Sequence, residues 1–550
     1  MRGSDQGMDT QVLIIGAGPT GLTLAIDLGL RGIRCTVIER KPEPQFLPKM
    51  ERCNARTMEI YRRMGLAERI RAAGMPADCP MDVFIVLSCV EPPLVHTPYP
   101  SVAEARAEIA ASTDASLPLE PYQLVSQYTV EPLLKAYAES LPSVTLRFGC
   151  EFVSFEQKPD HVATTIRTDE KTEIITSPYM VGCDGGGSRV RRQLNIGLAG
   201  DANILELRQA LYYCEDLYER IPIGKGRHYH VADGQSTFLI VQDSTKHFSL
   251  HAVVDTDADM GPQFEKAVGM PVKYDMLYVG AWRMNLLLAD RYGEGRVFMA
   301  GDAVHLVVPT GGLGMNSGVG DAIDLSWKLA ATLKGWGGPE LLPSYETERR
   351  QIGERNVAAS RYASTGRRKW RGMYRPNIRD NTPEGEETRR NLIAVADVEQ
   401  RKSNDMIGAE LGYRYADSPL IVDEAGAPPQ TEFEVYVPTT WPGARLPHVW
   451  LEDGRAVQDI IGYDHGFTLL RLGGSDVSAD GLAKAFGEIG APFRVLDLPG
   501  DRAREVYGHD LLLLRPDMHI VWRGNRLTEQ QDGLARMAAG YVPDRRARAA

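Results

Sequence analysis

The sequence predicts an α/β fold in three parts: a Rossmann-like domain that binds a dinucleotide, a β-sheet domain inserted into it, and a smaller α/β domain near the C-terminal end. A glycine fingerprint between two apolar strands in residues 11–39 predicts the first part. Aromatic-rich, strand-like segments in residues 200–290 predict the inserted sheet. Repeated βαβ-like signals after residue 440 predict the last part. At 550 residues the chain is also too long for a single hydrophobic core.

Residues 11–39 are predicted to form a β-α-β unit. Residues 11–15 are an apolar run rich in β-branched residues, with the length of a buried parallel strand. Residues 20–30 have the composition of a helix, and residues 35–39 form a second apolar strand that ends at Glu39.

The glycines of this unit stand at G-x-G-x-x-G spacing. Gly16 makes a tight turn, Gly18 lets the backbone approach a pyrophosphate, and Gly21 lets the helix pack closely on the strand. The pyrophosphate binds at the helix N-terminus, where unpaired N–H groups favour an anion. The carboxylate of Glu39, at the end of the second strand, accepts the ribose hydroxyls of an adenosine. The unit predicts dinucleotide binding and by itself leaves both NAD and FAD open.

Composition excludes several other classes of function. The formal net charge is −11, which gives no electrostatic footprint for nucleic acid or an anionic membrane. There is no apolar run of about 18 residues and no signal peptide, so the expected location is the cytoplasm. Residues 1–8 have the character of an expression leader. The seven cysteines lie in the first 214 residues without a C-x-x-C pair, so neither a disulfide framework nor a metal site is expected.

Two later motifs also follow apolar strands. The segment YMVGCDGGGSRVRRQL places Asp184 after a strand and before a basic helix. That helix is either a solvated face or a site that attracts the phosphates of a nicotinamide cofactor. Residues 295–336 contain a strand, Gly301-Asp302, the loop PTGGLG and a helix from Met315 onward. A long charged helix is predicted at residues 345–372, followed by a polar stretch punctuated by proline and glycine.

The three motifs, G-x-G-x-x-G with its terminal acid, C-D-G, and G-D-A-x-H followed by P-T-G-G-L-G-M-N, occur in this order over residues 9–400. Together they resemble the class A flavoprotein monooxygenases, which are single-component FAD-dependent aromatic hydroxylases. The resemblance is to the phenol-hydroxylase-like and aromatic polyketide hydroxylase branch, which carries a C-terminal thioredoxin-like domain. It implies a Rossmann-like FAD-binding domain with an inserted β-sheet substrate domain.

The resemblance also implies domain boundaries. The FAD-binding domain comprises residues 9–80, 123–200 and 285–400, and the substrate-binding sheet domain comprises residues 81–122 and 201–284. Residues 401–434 are a linker region, and residues 435–550 form the thioredoxin-like domain. That domain contains no cysteine, so redox exchange is not expected of it and its role is structural or in dimer contacts.

By the same resemblance, FAD binds non-covalently. Its ADP half contacts the glycine fingerprint and Glu39, its ribityl chain contacts Asp302, and its ring lies against the loop Pro309 to Asn316, where a helix N-terminus stabilises the reduced flavin. The cofactor-binding residues implied are Gly16, Gly18, Gly21, Glu39, Arg40, Arg56, Gln127, Asp184, Gly301, Asp302, Pro309, Gly312, Leu313, Gly314, Met315 and Asn316.

The implied reaction consumes NADPH or NADH and O2, and hydroxylates a phenolic or polycyclic aromatic substrate through a flavin C4a-hydroperoxide. Candidate catalytic residues are His228, Tyr229 and His230 of the inserted sheet, together with Pro309. Strand alternation lets either both histidines or the tyrosine face the substrate. Alternatives on the same fold are epoxidation, Baeyer–Villiger insertion, oxidative decarboxylation, or sequestration of an aromatic intermediate. The expected partners are small molecules, with a homodimer as one option for assembly.

Overall fold

The computed structural model describes residues 7–463, 466–527 and 529–541. Its first domain is built on a six-stranded sheet whose central strand, Val12–Ile15, is fully buried and pairs in parallel with the strands on both sides. The strands, in spatial order, are Gly293–Glu294, Val297–Met299, Tyr179–Gly182, Val12–Ile15, Cys35–Glu39 and Val144–Phe148. The central strand is buried on both faces because helices cover the sheet, and this explains its continuous apolar sequence.

Three helices pack together around this sheet. Pro19–Leu30 contacts both Gln127–Glu139 and Gly314–Leu333. Pro19 stands in the first turn of its helix, where its missing N–H removes no hydrogen bond. The core that these elements enclose joins the glycine turn to the later Gly301-Asp302 motif, although almost 300 residues separate them in the sequence.

The inserted domain is an eight-stranded sheet. Its strands, in spatial order, are His305–Leu306, Asp275–Ala289, Leu198–Tyr213, His247–Ala252, Phe238–Val241, His228–Val231, Val83–Val86 and Val95–Thr97. The two longest strands pair over residues 198–213 and 275–289, so the sheet extends beyond the expected boundaries at 201 and 284. A separate three-stranded sheet comprises Glu151–Gln157, Val162–Arg167 and Thr172–Ser177, and a two-stranded one comprises Arg52–Cys53 and Gln123–Leu124.

A long helix, Ser344–Arg371, runs from the first domain to the inserted sheet, and a second helix, Pro383–Glu399, packs against it. The second helix lies in the stretch that the sequence marks only as polar. It begins at Pro383, and the Thr382 hydroxyl accepts a hydrogen bond from Gly385 N, which is a standard N-cap. The remaining α-helices are Ala55–Arg63, Ala67–Ala73, Val102–Ala111, Arg189–Gln193, Leu217–Arg220, Met260–Val268, Ile407–Leu411, Val457–Ile461, Asp480–Glu488, Asp501–Tyr507 and Gln531–Ala538.

The last domain contains a four-stranded sheet in the order Phe493–Leu498, Phe467–Leu472, Leu511–Leu514, Ile520–Gly524. The first two strands are parallel and the last two antiparallel, with helices between and after them, which is the strand order of a thioredoxin-like domain. The predicted fold class is thus confirmed. Residues 1–6 of the expected leader and residues 542–550 of the last domain lie outside the described residues. Where the chain is described, none of its helices combines the length and the apolar surface that crossing a membrane requires.

Candidate functional site

A cavity of about 890 Å³ lies between the glycine turn, the segment 300–316, the inserted sheet and the long helix. It collects residues that are far apart in sequence from both of the domains that the sequence predicts to bind ligands. The predicted site residues that line it are Gly18, Gln127, His228, Asp302, Pro309, Gly312, Gly314, Met315 and Asn316. The volume is in the range of cofactor and small-molecule sites.

The glycine turn has the geometry of a pyrophosphate cradle. Gly16 has a φ of +106°, and a Cβ there would lie 2.4 Å from the carbonyl oxygen of Cys183. A Cβ on Gly21 would lie 2.0 Å from the carbonyl oxygen of Gly16. Gly18, by contrast, has no heavy atom within 4 Å of its Cβ position and borders the cavity. Gly16 and Gly21 are therefore required by the protein backbone, whereas Gly18 leaves space that a ligand can use.

Glu39 lies at the end of its strand, beside the glycine turn. Its carboxylate accepts hydrogen bonds from Ala17 N at 3.1 Å and Lys41 N at 3.0 Å. Glu39 does not line the main cavity, and Arg40 is exposed and lines a small separate pocket with Arg167. The structure therefore separates Arg40 from the residues that gather around Gly18.

Two aspartates flank the cavity on the side of the glycine turn. Asp184 accepts hydrogen bonds through one carboxylate oxygen from Arg189 N at 2.7 Å and Val190 N at 3.2 Å. The other carboxylate oxygen is buried and has no hydrogen-bond partner among the residues that the structure describes. Asp302 follows Gly301, whose φ is +66°, and points into the cavity. Desolvation by the surrounding protein raises the pKa of the Asp302 carboxyl, although the nearby charges of His305 and Lys49 lower it.

Hydrogen bonds from Arg52 and Asn316 fix the backbone of the loop from Pro309 to Asn316. Gly311 and Gly312 have φ values of +94° and +65°, which favour glycine. The Arg52 guanidinium donates a hydrogen bond to the Gly311 carbonyl at 2.8 Å. Asn316 donates to the Gly312 carbonyl at 2.6 Å and accepts from Asn54 N at 2.9 Å. The loop therefore presents its backbone to the cavity in a fixed shape.

The helix Gly314–Leu333 begins directly after this loop. Gly314 and Met315 line the cavity, so the positive end of the helix dipole faces it. Leu313 is buried against Ala359 and Ala363 of the long helix, and its side chain does not line the cavity. The side chain of Leu313 therefore anchors the loop to the long helix, and the predicted contact of this residue with the cofactor stays a prediction.

Arg56 faces the C-terminal domain instead of the cavity. Its guanidinium donates to the Asp517 carbonyl at 3.3 Å and lies 3.6 Å from the Glu59 carboxylate. The helix Ala55–Arg63 uses this face for domain contacts, since Arg445 of the last domain also binds Glu59 through two hydrogen bonds. For this reason the structure does not bring Arg56 to the cavity, and its predicted contact with the nucleotide or the ribityl chain stays a prediction.

The strand His228–Val231 settles which of its side chains face the cavity. Tyr229 is buried on the far side, where its hydroxyl donates to the Gly224 carbonyl at 2.9 Å and its ring stacks on Phe84. His230 is fully buried, stacks on Phe238 and accepts a hydrogen bond from the Gln400 amide at 3.0 Å. Only His228 of the three lines the cavity. Tyr229 and His230 therefore pack inside the protein, and of the three catalytic candidates the structure brings only His228 to the cavity.

His228 forms a buried pair with Glu51. The His228 Nε2 lies 2.9 Å from a carboxylate oxygen of Glu51. Burial lowers the pKa of His228 to about 4, although Glu51 raises it, so the ring is neutral at pH 7 and donates its Nε2–H. Burial raises the pKa of Glu51, but His228, Arg227 and Arg52 together hold it well below its ordinary value. The cavity wall therefore carries an ionised carboxylate with a fixed orientation.

Sequence reasoning missed several residues that build this site. Asp321 accepts hydrogen bonds from Gly301 N at 3.0 Å, His305 Nε2 at 2.8 Å and Arg349 Nε at 2.8 Å, and so supports the Gly301-Asp302 turn. It lies within a helix and no local pattern identifies it. The arginines of the long helix that line the cavity are Arg361, Arg367, Arg368 and Arg371. Their spacing places them on one helix face, which is the signal that could have found them.

Comparisons with known proteins agree with this geometry. The family described as "FAD binding domain" matches residues 9–360, and the one described as "Aromatic-ring hydroxylase, C-terminal" matches residues 439–542. The chain is 32% identical to the FAD-dependent monooxygenase apdD of Emericella nidulans, over 96% of this chain and 90% of that protein. It is similar to chromopyrrolic acid-soaked RebC with bound 7-carboxy-K252c, with a TM-score of 0.88 and 30% identity over 97% of this chain and 100% of that one. It is also similar to the flavin-dependent monooxygenase PieE in complex with FAD and substrate, with a TM-score of 0.87 and 28% identity over 98% and 100% of the two chains.

Proposed function

Because the chain belongs to the FAD-dependent aromatic-ring monooxygenases, we propose that this cavity holds FAD and a phenolic or polycyclic aromatic substrate, which is hydroxylated at the expense of NAD(P)H and O2. One observation carries the proposal. The glycine turn, Asp302 and the loop that begins at Pro309 open into the same cavity as an aromatic wall from the inserted sheet. Epoxidation, Baeyer–Villiger insertion, decarboxylation and sequestration are not favoured by the relatives.

The residues present fit the FAD cofactor. Gly18 leaves a cradle for the pyrophosphate at the N-terminus of Pro19–Leu30. Asp302 provides a carboxylate for hydroxyl groups of the ribityl chain, and Gln127 borders the same space. The backbone at Gly312 and Gly314 approaches the ring, and the helix dipole there stabilises negative charge on it. When bound, the flavin takes a hydride from NAD(P)H and activates O2, so that one oxygen atom enters the ring and the other leaves as water.

The inserted sheet supplies the substrate side. Phe238, Tyr278 and Trp282 line the cavity and provide flat apolar surfaces for an aromatic ring. The Glu51 carboxylate, oriented by His228, accepts a hydrogen bond from a phenolic hydroxyl and so orients the ring. Glu51→Gln should therefore weaken binding of a phenol more than binding of the same ring without the hydroxyl. An equal loss for both compounds would refute this role.

The decisive experiment mixes the FAD-loaded protein anaerobically with NADPH or NADH, with and without a panel of phenols and polycyclic aromatics, and follows flavin absorbance. We expect one aromatic class to accelerate flavin reduction, and admission of O2 to give a product heavier by one oxygen atom. No reduction with any compound, or a product without added oxygen, would overturn the proposal.

A glycine pair tests the FAD site directly. Gly18→Val places a side chain in open space that only the ligand would occupy, so the chain should fold while its dissociation constant for FAD rises at least tenfold. Gly187→Val is the matched control, because its Cβ position also has no neighbour within 4 Å and it does not line the cavity. Equal FAD affinity in the two variants would contradict the assignment.

We also propose that the protein assembles as a homodimer, and light scattering of the purified protein measures this.

A further inference from the structure

One face of the long helix Ser344–Arg371 carries a row of arginines into the cavity. They are Arg361, Arg367, Arg368 and Arg371. Arg361 forms an ion pair with Asp201, so its charge is neutralised locally. No carboxylate among the described residues forms an ion pair with any of the other three. The cavity therefore has an excess of positive charge on this wall.

Arg367 is the arginine of this row that packs against the aromatic wall of the inserted sheet. Its guanidinium carbon lies 4.7 Å from the centroid of the Phe238 ring, and its Nε is buried without a hydrogen bond in the described part of the chain. Glu51 is a carboxylate that acts on its charge, and it is already bound to His228. Burial lowers the pKa of Arg367 to about 10, so the group stays charged at pH 7 while it is poorly solvated. A charged donor in this state favours an anionic ligand.

Neighbouring groups add to the preference for an acceptor. Arg371 donates to the backbone carbonyls of Val231 and Thr237 at 3.3 and 2.9 Å, and its pKa of about 9 also reflects burial and the charge of Arg367. Across the cavity, the indole Nε1 of Trp282 is buried and has no acceptor within the described residues. Arg367 Nε and Trp282 Nε1 are thus two buried donors at this cavity that lack an acceptor among the described residues.

Arg367 lies one helical turn beyond the residue that packs against the loop at Gly311. Ala363 lies one helical turn earlier and packs beneath Gly311, with 3.9 Å between its Cβ and the position of a Cβ on the glycine. Four residues advance a helix by about 6 Å. An aromatic ring lying against the loop at Gly311 therefore extends toward Arg367, and a substituent on the ring reaches the guanidinium.

We propose that the substrate carries a carboxylate on its aromatic framework and that Arg367 binds this carboxylate. The planar guanidinium of Arg367 can donate two parallel hydrogen bonds to the two oxygens of a carboxylate, which the point charge of an ammonium group cannot. This inference rests on the proposed hydroxylase function and names the substrate class within it. The phosphates of NAD(P)H share the anionic character of a carboxylate, so the experiment must separate the two sources.

The test uses the oxidised, FAD-loaded full chain and pairs of compounds that differ only in charge. The pairs are salicylate with salicylamide, and 3-hydroxy-2-naphthoate with 3-hydroxy-2-naphthamide, titrated through the change in flavin absorbance. In the wild type, the acid of at least one pair should bind at least tenfold more tightly than its amide, which corresponds to about 1.4 kcal/mol. Arg367→Met should weaken the acid at least tenfold and change the amide less than twofold.

Lys369→Met is the matched control, because it removes one positive charge two residues away on the same helix. Lys369 is largely exposed, pairs with Glu399 and does not line the cavity, so the acid preference should persist. Arg367→Lys keeps the charge and loses the fork, and it should retain part of the preference. This variant also serves if Arg367→Met fails to load FAD.

Three results would overturn the proposal. The first is the absence of an acid preference in both pairs in the wild type, including the absence of any binding. The second is an equal effect of Arg367→Met on acid and amide. The third is a weakened affinity of Arg367→Met for NADPH with the acid preference intact, which would assign the arginine to the cosubstrate. The titrations with the acids and amides contain no NADPH and involve no turnover. Failure of hydroxylation and failure of carboxylate recognition are therefore distinguishable.

Discussion

Arg52 offers the sharpest test of how the flavin loop is held. Its guanidinium donates to the Gly311 carbonyl at 2.8 Å and lies 3.5 Å from the Glu410 carboxylate, and both side chains are buried. Arg52→Met keeps most of the volume and removes the charge and its hydrogen bonds. A hydrogen bond to a charged group contributes about 1.5–3 kcal/mol. If the bound shape of the loop depends on it, the affinity for FAD should fall roughly 10- to 150-fold.

The assay is an equilibrium titration of the apoprotein with FAD, followed by quenching of flavin fluorescence. Arg291→Met is the control, since Arg291 is about half exposed and its ion pair with Glu294 lies at the surface. Thermal unfolding of both apoproteins separates a local effect on the loop from a general loss of stability. An Arg52→Met protein that binds FAD as tightly as Arg291→Met does would refute the reasoning.

The stability of Arg52→Met should depend on pH because of Glu410. Burial raises the pKa of this carboxyl above its ordinary value of 4.5, and Arg52 is the largest opposing influence. Without Arg52 the folded-state pKa rises further, so the folded protein holds a proton that the unfolded chain has released. The stability contributed by this group is then full below the ordinary pKa and is lost as pH rises through the raised pKa. Arg52→Met should therefore be more destabilised relative to the wild type at pH 8 than at pH 5, and equal destabilisation would contradict it.

Three further predictions concern the dinucleotide and the C-terminal domain. Glu39→Ala should weaken FAD binding, because it removes the carboxylate beside the glycine turn, and unchanged affinity in the same titration would exclude its contact with the ribose. Arg515→Met should lower the free energy of unfolding by about 3–5 kcal/mol in urea denaturation, since it leaves Asp324 and Glu348 buried without this partner. Deleting residues after 434 exposes the same carboxylates and should reduce solubility and thermal stability, and a truncated chain with wild-type melting and mass would argue against a structural role for this domain.

The local parts of the fold were accessible from the sequence because their signals are contiguous. The β-α-β unit has its strands, helix and glycines within residues 11–39. A Cβ at Gly16 or Gly21 would clash with a backbone carbonyl oxygen, so only glycine fits at these two positions. The helix Pro383–Glu399 shows the opposite case. Its start signals, Thr382 and Pro383, stand in a polar stretch with few apolar residues, so the sequence shows no helical period there.

Residues whose environment comes from distant segments could not be assigned. The resemblance implies a cofactor contact for Arg56, yet its guanidinium donates to a carbonyl 461 residues away in another domain. Strand alternation left either both histidines or Tyr229 facing the substrate. In the structure Tyr229 packs on Phe84, and of the two histidines only His228 lines the cavity. The arginines of the long helix had the pattern of a solvated charged helix, because nothing in the sequence indicates that the inserted sheet covers one of its faces.

The long helix also explains how a last domain without cysteines supports flavin chemistry. Arg515 of that domain donates to Glu348 at 2.6 Å, and the next residue of the helix, Arg349, donates to Asp321 at 2.8 Å. Asp321 in turn holds Gly301 N at 3.0 Å, directly before the aspartate that faces the cavity. Glu348 and Arg349 are consecutive residues, so the helix backbone joins the hydrogen bond from the C-terminal domain to those that hold the turn before Asp302. Because these hydrogen bonds are buried and charge-assisted, we expect the domain to stabilise the position of this turn, a role that needs no redox group.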